Sequence, residues 1–252
     1  MSVINNMKAS VFDVLFPDLK RRCPLCGADM PADAVGCCFL CLSQVKLLEG
    51  EACPGCGAPV EFVGELCDEC VRSGETHAYD ACYAAVAYEE PFAGWLHRFK
   101  YEGETELIHA FGVIIEAACL ARPQLHAALE RTQLICPVPA DPVHEADRGF
   151  NQAALISARI AWNFGKPHTE NAVVRDAGSS AQAGLDRSQR KHALQGLFKA
   201  GRNAERVAGK RILLVDDVIT TGATVDAAAA ILKECGAASV TVFALAKTFK
   251  RG

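Results

Sequence analysis

One stretch sets the fold class of this 252-residue chain: ILLVDDVITTGAT, residues 212–224. Residues 211–215 are predicted to form a strand, and the apolar run without alternation at residues 212–215 indicates that helices cover both of its faces. Two acids follow at its carboxyl end, then a turn of threonine and glycine, and then a helix predicted over residues 223–234. A buried strand that leads into a helix is typical of a doubly wound parallel α/β sheet.

The turn after the acids is predicted to bind a phosphate. Ligands bind outside the carboxyl ends of parallel strands, where helix N-termini offer backbone N–H groups to anions. Two adjacent carboxylates would repel a free phosphate, so Asp216 and Asp217 are expected to accept hydrogen bonds from sugar hydroxyls. The predicted ligand is therefore a phosphorylated sugar, its phosphate bound by Thr220, Thr221, Gly222, Ala223 and Thr224. The alternative is an ordinary solvated turn. Neither a Walker loop nor a dinucleotide-binding glycine motif is present.

Further strands and helices alternate along the same part of the chain, as a parallel sheet requires. Strands are predicted over residues 82–88, 134–138, 172–174 and 239–246, and helices over residues 104–121 and 151–164. Half of the chain is apolar, which excludes global disorder. The most apolar long stretch, residues 111–121, is too short to span a membrane and contains Glu116. The first 19 residues predict a short amphipathic helix rather than a signal peptide, so we expect a cytoplasmic protein.

Thirteen cysteines are unusual for such a chain, and nine of them lie between residues 23 and 70. Two segments there share one pattern, in which a C-x2-C pair followed by glycine precedes a second C-x2-C pair. The eight cysteines of this repeat are Cys23, Cys26, Cys38 and Cys41, then Cys53, Cys56, Cys67 and Cys70. Such pairs predict closed four-thiolate zinc sites of a structural kind. Disulfides and an iron–sulfur cluster are the alternatives.

The repeat favours one zinc ion for each segment, although an interleaved pairing has compatible spacing. Cys38 is preferred to Cys37 as a ligand because it keeps the x2 spacing. We therefore predict a double zinc-ribbon domain over residues 1–75, with its short N-terminal helix, and an α/β domain over residues 76–252. Cysteine that binds metal rather than forming disulfides indicates a reducing compartment.

Charge is distributed unevenly. Residues 1–75 hold 6 basic and 11 acidic side chains, whereas residues 171–252 hold 13 and 7. An acidic ribbon domain favours a structural or partner-docking role over direct contact with DNA, which needs lysine and arginine. The basic surplus lies in the last third of the chain, with 9 basic residues against 3 acids over residues 175–211.

Residues 212–224 closely resemble the binding motif of type I phosphoribosyltransferases, which use phosphoribosyl pyrophosphate (PRPP) with magnesium. The sequences PVP at residues 137–139 and RGFNQ at residues 148–152 resemble a motif pair of the ComF family. Other residues in the order of that family are Phe99, Lys100, Tyr101, Arg175, Gln182, Leu185 and Arg190. The resemblance covers essentially the whole chain. One departure is the gap at residues 140–147, which is acidic where the family usually has several arginines.

The resemblance implies an N-terminal cysteine ribbon joined to a phosphoribosyltransferase domain. It also implies a pyrophosphate loop at Val138 and Pro139, and the cations expected near it are Arg148, Lys100, Arg175 and Arg190. Residues 176–184 stand where type I enzymes have a mobile lid. ComF-like proteins are implied in DNA uptake during natural transformation.

Three functions remain open. The first is an enzyme that transfers ribose phosphate from PRPP to an unidentified nucleophile. Alternatively it is a non-catalytic module that binds single-stranded DNA, with PRPP or a nucleotide as a regulatory ligand. A third reading is a scaffold whose ribbons dock the DNA-uptake machinery.

Overall fold

The computed structural model describes residues 21–31, 34–74, 76–176 and 196–249 of the chain. The predicted N-terminal amphipathic helix, most of the predicted lid and Arg190 lie outside these ranges. None of the helices within them combines the length and the apolar character needed to cross a bilayer.

Two similar small units make up the N-terminal part. The first contains β1 (Arg21–Arg22), β2 (Asp29–Met30) and α1 (Phe39–Ser43), and the second contains β3 (Glu51–Ala52), β4 (Pro59–Val60) and α2 (Asp68–Ser73). In each unit two antiparallel strands flank the first C-x2-C pair. The helix begins at the second pair, because Cys38 and Cys67 are the N-cap residues of α1 and α2. The sequence repeat is therefore a structural repeat.

The rest of the described chain is built around a sheet of four parallel strands. Its elements are β5 (Ala81–Ala87), α3 (Phe92–Tyr101), α4 (Ile108–Ala121), α5 (Pro123–Arg131), β6 (Leu134–Pro137), α6 (Pro142–Arg148), α7 (Gln152–Phe164), β7 (Val173–Arg175), β8 (Phe198–Ala200), β9 (Arg211–Ile219), α8 (Ala223–Glu234) and β10 (Ser239–Lys247). The strand order is β5-β10-β9-β6. Each of the three pairings is parallel.

Helices cover both faces of this sheet. Leu213 and Val215 of β9 belong to the core that contains Phe111 of α4, whereas Leu214 belongs to the core that contains Val225 and Leu232 of α8. Successive residues of β9 thus enter different cores. This explains why the strand is apolar without alternation. The predicted doubly wound α/β class is confirmed, together with the zinc-ribbon fold of the N-terminal part.

Strand β9 is longer than the sequence predicts. It continues to Ile219, with Asp216 paired to Ala244 and Ile219 paired to Lys247 of β10. The prediction ended the strand at Val215, and aspartate is in general disfavoured in strands. Pairing with β10 overrides that preference. Asp216 and Asp217 therefore lie within the strand, where the ladder fixes their backbone.

The strand predicted at residues 172–174 does not join the parallel sheet. It appears as β7, shifted by one residue, and pairs antiparallel with β8 in a separate two-stranded sheet. The alternation of strands and helices did not reveal this, because short strands carry no signal for their partner. The small sheet stands beside the carboxyl end of β6 and forms part of a pocket described below.

The N-terminal part packs directly on the sheet. The Leu48 N–H donates to the Ala85 carbonyl and the Ala87 N–H donates to the Lys46 carbonyl, both at 3.0 Å. These bonds cover the free edge of β5. Leu25 and Cys41 are buried in the same core as the helices of the α/β part. The domain division near residue 75 stays a prediction, and the two parts that it separates share one core.

Arg122 joins the second unit to the α/β part. Its side chain is fully buried, and its two Nη atoms donate to the carbonyls of Gly57 and Glu49, each at 3.2 Å. Arg98 has a similar role at the first unit, where it donates to the carbonyls of Pro24 and Leu25. Each ribbon unit is therefore held by one arginine of the α/β part.

We expect Arg122→Leu to lower the free energy of unfolding by about 2–4 kcal/mol, because the buried Gly57 carbonyl and the partly buried Glu49 carbonyl both lose their donor. Urea unfolding followed by far-UV circular dichroism measures this change. Arg131→Leu, on the exposed surface of the next helix, is the matched control and should change the value by less than about 0.5 kcal/mol. Equal effects of the two substitutions would contradict the role of Arg122.

Candidate functional site

The structure brings four sulfurs of the first unit together: Cys23, Cys26, Cys38 and Cys41 lie with their Sγ atoms within 4.8 Å of one another. The Cys23–Cys41 and Cys26–Cys38 distances are 3.9 Å and 3.8 Å. Tetrahedral zinc with Zn–S bonds of about 2.3 Å separates its sulfurs by about 3.8 Å, so the group fits this ion. The Cys38 N–H also donates to the Cys23 sulfur at 3.3 Å, which stabilises a thiolate.

The second unit repeats this arrangement with Cys53, Cys56, Cys67 and Cys70. The Cys56 and Cys67 sulfurs lie 3.5 Å apart, and the Cys67 N–H donates to the Cys53 sulfur at 3.4 Å. Hydrogen bonds from Cys56 and from the backbone lower the pKa of Cys53 to about 4. A lowered pKa favours the thiolate form, which is the form that binds zinc. The sulfurs group in sequence order rather than interleaved.

Cys37 lies outside both four-sulfur groups of the described residues. It is buried, and burial raises the pKa of its thiol to about 12. A neutral thiol in this position packs as a small apolar side chain. Its neighbour Cys38 contributes the sulfur to the group and also begins α1.

The turn after β9 has the geometry of an anion-binding loop. Gly222 adopts φ = 81° and is the N-cap of α8, which has 12 residues. This left-handed conformation favours glycine, which explains the residue at that position. Thr220 and Thr221 are exposed, and the Thr221 hydroxyl accepts from the Ala223 N–H at 3.4 Å. The first turn of α8, with Ala223 and Thr224, thus presents backbone N–H groups beside accessible hydroxyls.

Lys100 lies beside the acid pair and not at the predicted pyrophosphate loop. Its Nζ is 2.7 Å from a carboxylate oxygen of Asp217, and both side chains are mostly buried. Asp216 accepts from the Asp217 N–H at 2.8 Å through its own side chain. The two acids therefore differ, since one carries a lysine counter-ion and the other a backbone donor. The family resemblance had placed Lys100 among the cations near the pyrophosphate loop.

Burial and the charge of Asp217 raise the pKa of Asp216 to about 7. A carboxyl whose pKa is higher in the folded state stabilises the protein fully below its unfolded pKa, and this stabilisation is lost as pH rises through about 7. Asp216→Asn is neutral at every pH, so we expect its Tm to exceed that of the wild type by about 2–5 °C at pH 8. The difference should shrink toward pH 5.5 in thermal unfolding experiments. A difference independent of pH would show that charge on Asp216 is not its cause.

The predicted pyrophosphate loop follows β6, next to β9. The Val138 N–H donates to the Val215 carbonyl at 2.8 Å, and the Val138 carbonyl accepts from the Asn151 side chain at 3.0 Å. Pro139 lines a pocket of about 160 Å³ between this loop, α7 and β7. Val215 directly precedes Asp216 in β9. The loop after β6 and the acid pair of β9 therefore lie on neighbouring strands, at the carboxyl ends of the parallel strands.

The three remaining cations predicted for the pyrophosphate side have different placements. Arg175 lines the pocket but forms an ion pair with Asp141 at 2.8 Å. Arg148 donates to the Tyr101 hydroxyl at 3.0 Å and to the Gln152 side chain at 3.1 Å. Arg190 lies outside the described residues. Tyr101 follows Lys100, so Arg148 is linked to the acid pair through α3.

Comparison with known proteins identifies the family. The family described as phosphoribosyl transferase domain matches residues 149–251, and the family described as double zinc ribbon domain matches residues 11–71. The chain is 30% identical to competence protein ComFC of Bacillus subtilis over 217 residues, 84% of each chain. The chain belongs to the ComF family. The resemblance indicated by the sequence motifs is thereby confirmed.

Two further relatives of this ComF-family chain match over almost their whole length. Competence protein F of Haemophilus influenzae is 26% identical over 226 residues, which cover 90% of this chain and 96% of the relative. The DNA utilization protein YhgH of Escherichia coli K12 is 27% identical over 226 residues, with the same coverage. The similarity therefore includes the ribbon units as well as the α/β part.

Several residues around the site of the ComF-family chain were not predicted. His77, Tyr79 and Lys247 line a cleft that connects the second cysteine group to the turn after β9. Asp226 of α8 accepts from the Ala78 N–H at 2.7 Å and ties the segment before β5 to α8. These residues belong to no motif. In the sequence, Lys247 is distinguished only as a basic residue that follows an apolar strand.

Proposed function

We propose that this ComF-family protein binds PRPP with magnesium through residues 216–224. The observation that carries the proposal is the acid pair on β9 directly before a glycine turn with positive φ that begins α8. The 5′-phosphate is bound by the hydroxyls and backbone N–H groups of Thr220, Thr221 and Gly222 through Thr224. The ribose hydroxyls donate to Asp216 and Asp217. Lys100 holds Asp217 in place through their 2.7 Å ion pair.

The pyrophosphate group is proposed to face Val138 and Pro139 at the end of β6. Arg148 and Arg190 are proposed as further cations on this side. Arg175 contributes less in the described arrangement, because Asp141 already neutralises it. Carboxylate oxygens such as those of Asp216 and Asp217 are the donors that magnesium prefers. When bound with PRPP, magnesium supplies charge neutralisation of the departing pyrophosphate.

The eight grouped cysteines are proposed to hold two structural zinc ions, one in each ribbon unit. Four protein sulfurs per ion leave no open position for a substrate. The ribbons would then contribute to folding, since a site of this kind is absent from the unfolded chain. Their zinc content is measured directly by elemental analysis of the purified protein.

We further propose a cytoplasmic role in DNA uptake or DNA utilization, in keeping with the names of the relatives. The basic surplus of residues 171–252 supports contact with single-stranded DNA. A salt titration of single-strand affinity tests this part. A slope of log K against log salt near zero would contradict phosphate contacts.

Isothermal titration calorimetry with PRPP and magnesium tests the main proposal, and pyrophosphate release in the presence of nucleobases and amines tests turnover. Binding with release identifies an enzyme, whereas binding without release identifies a regulatory ligand site. Absence of PRPP binding would overturn the proposal.

A further inference from the structure

A narrow cleft separates the second ribbon unit from the turn after β9. Gly55, Cys56 and Cys70 line the ribbon side, and residues 219–222 line the opposite side. Two of the lining cysteines belong to the second four-sulfur group. The cleft therefore places the proposed zinc ion of this unit next to the proposed phosphate loop.

Tyr79 bridges the two sides of this cleft. Its hydroxyl donates to the Gly55 carbonyl at 2.7 Å. A Cβ atom added to Gly222 would lie only 3.5 Å from the same hydroxyl oxygen. The turn of the first C-x2-C pair of the second unit and the glycine that begins α8 thus contact one buried side chain. The distance between the cysteine group and the loop is fixed by this contact.

The electrostatics of the arrangement are unfavourable without a cation. Four thiolates outweigh one Zn²⁺, so a filled site of this type carries a net negative charge. Glu69 also lines the cleft. A phosphate bound on the neighbouring loop would be repelled by both, and burial weakens the screening of this repulsion by solvent.

Lys247, at the end of β10, supplies the missing positive charge. It lines the same cleft, pairs with Ile219 in the sheet, and is only 5% exposed. Within the described ranges it forms no ion pair with a carboxylate, and its Nζ lies 5.7 Å from the centre of the Phe249 ring, a cation–π contact that leaves the charge without a counter-ion. An anion at the cleft would provide one.

We infer that Lys247 is a further residue of the phosphate site, and that its ammonium group offsets both the bound phosphate and the second zinc–thiolate centre. The claim that Lys247 offsets the bound phosphate, the phosphate half of this inference, rests on the proposed function. The claim that Lys247 offsets the second zinc–thiolate centre, the zinc half, rests on the cysteine group and the cleft alone.

The test compares Lys247→Met, which keeps the length of the side chain, with Lys247→Arg, which keeps the charge. We expect Lys247→Met to weaken PRPP–magnesium binding by roughly 10- to 100-fold in calorimetry, as for the loss of a charge-assisted hydrogen bond. It should also speed the release of one of two zinc equivalents to a chelator. Lys247→Arg should keep affinity and release rate within about threefold of wild type.

Lys210→Met is the matched control, because Lys210 precedes β9 at the end of the strand opposite to the loop. It should leave both measurements unchanged. PRPP affinity of Lys247→Met equal to that of wild type would overturn the phosphate half, and an unchanged zinc-release rate would overturn the zinc half. If the wild type binds no PRPP, the proposed function is wrong, and the zinc-release rate still decides the role of Lys247.

Discussion

Replacing both acids of β9, as Asp216→Ala with Asp217→Ala, is expected to weaken PRPP binding by more than about 100-fold. Each carboxylate is proposed to accept hydrogen bonds from ribose hydroxyls, and a hydrogen bond to a charged group is worth about 1.5–3 kcal/mol. Calorimetry with PRPP and magnesium measures the loss. Zinc content should remain at two equivalents, because the cysteine groups do not include the acids.

This experiment needs two controls. First, Lys100 loses its counter-ion when Asp217 is removed, so the Tm of the double variant must be measured to exclude unfolding. Second, Glu89 and Glu90 form an adjacent exposed acid pair elsewhere on the chain. Their double alanine variant changes the net charge equally and should bind PRPP like the wild type. Retained binding in the Asp216 and Asp217 variant would mean that the loop has another ligand.

Cys38→Ser is expected to lose about one of two zinc equivalents and to lower the Tm by about 10 °C or more. A structural zinc site contributes its binding free energy to folding. Losing even part of that binding free energy lowers the free energy of unfolding by several kcal/mol, which lowers the Tm. The effect should spread beyond the ribbon, because Cys23 and Cys41 of the same group are buried in the core shared with α4. Elemental analysis and thermal unfolding measure the two quantities.

Cys37→Ser provides the control at the adjacent position. Cys37 is a buried thiol outside the four-sulfur group, so its replacement should keep two zinc equivalents. It should cost some stability, because serine is more polar in an apolar site. Equal zinc loss in the two variants would show that Cys37 and Cys38 exchange as ligands.

Local patterns predicted much of the architecture. The apolar run at residues 212–215 and the helix at residues 223–234 were recognisable, because the pattern of apolar residues indicates burial on one or both faces. The extension of β9 through Asp216 to Ile219 was not, since it depends on pairing with β10. For the same reason the antiparallel pair of β7 with β8 was missed, as neither strand encodes its partner.

The sequence alone determined the fold class, the family, the repeat of cysteine pairs and the acid–threonine–glycine turn. These features are local, because a C-x2-C turn or a strand that leads into a helix is specified within about a dozen residues. Only the tertiary structure decided which cations reach the site. Lys100 forms an ion pair with Asp217, and Arg175 forms one with Asp141. The sheet order β5-β10-β9-β6 likewise brings Lys247 beside Ile219, and chain packing brings the second cysteine group to the same cleft. Charge pairs between distant segments follow from strand order and packing, which no local pattern contains.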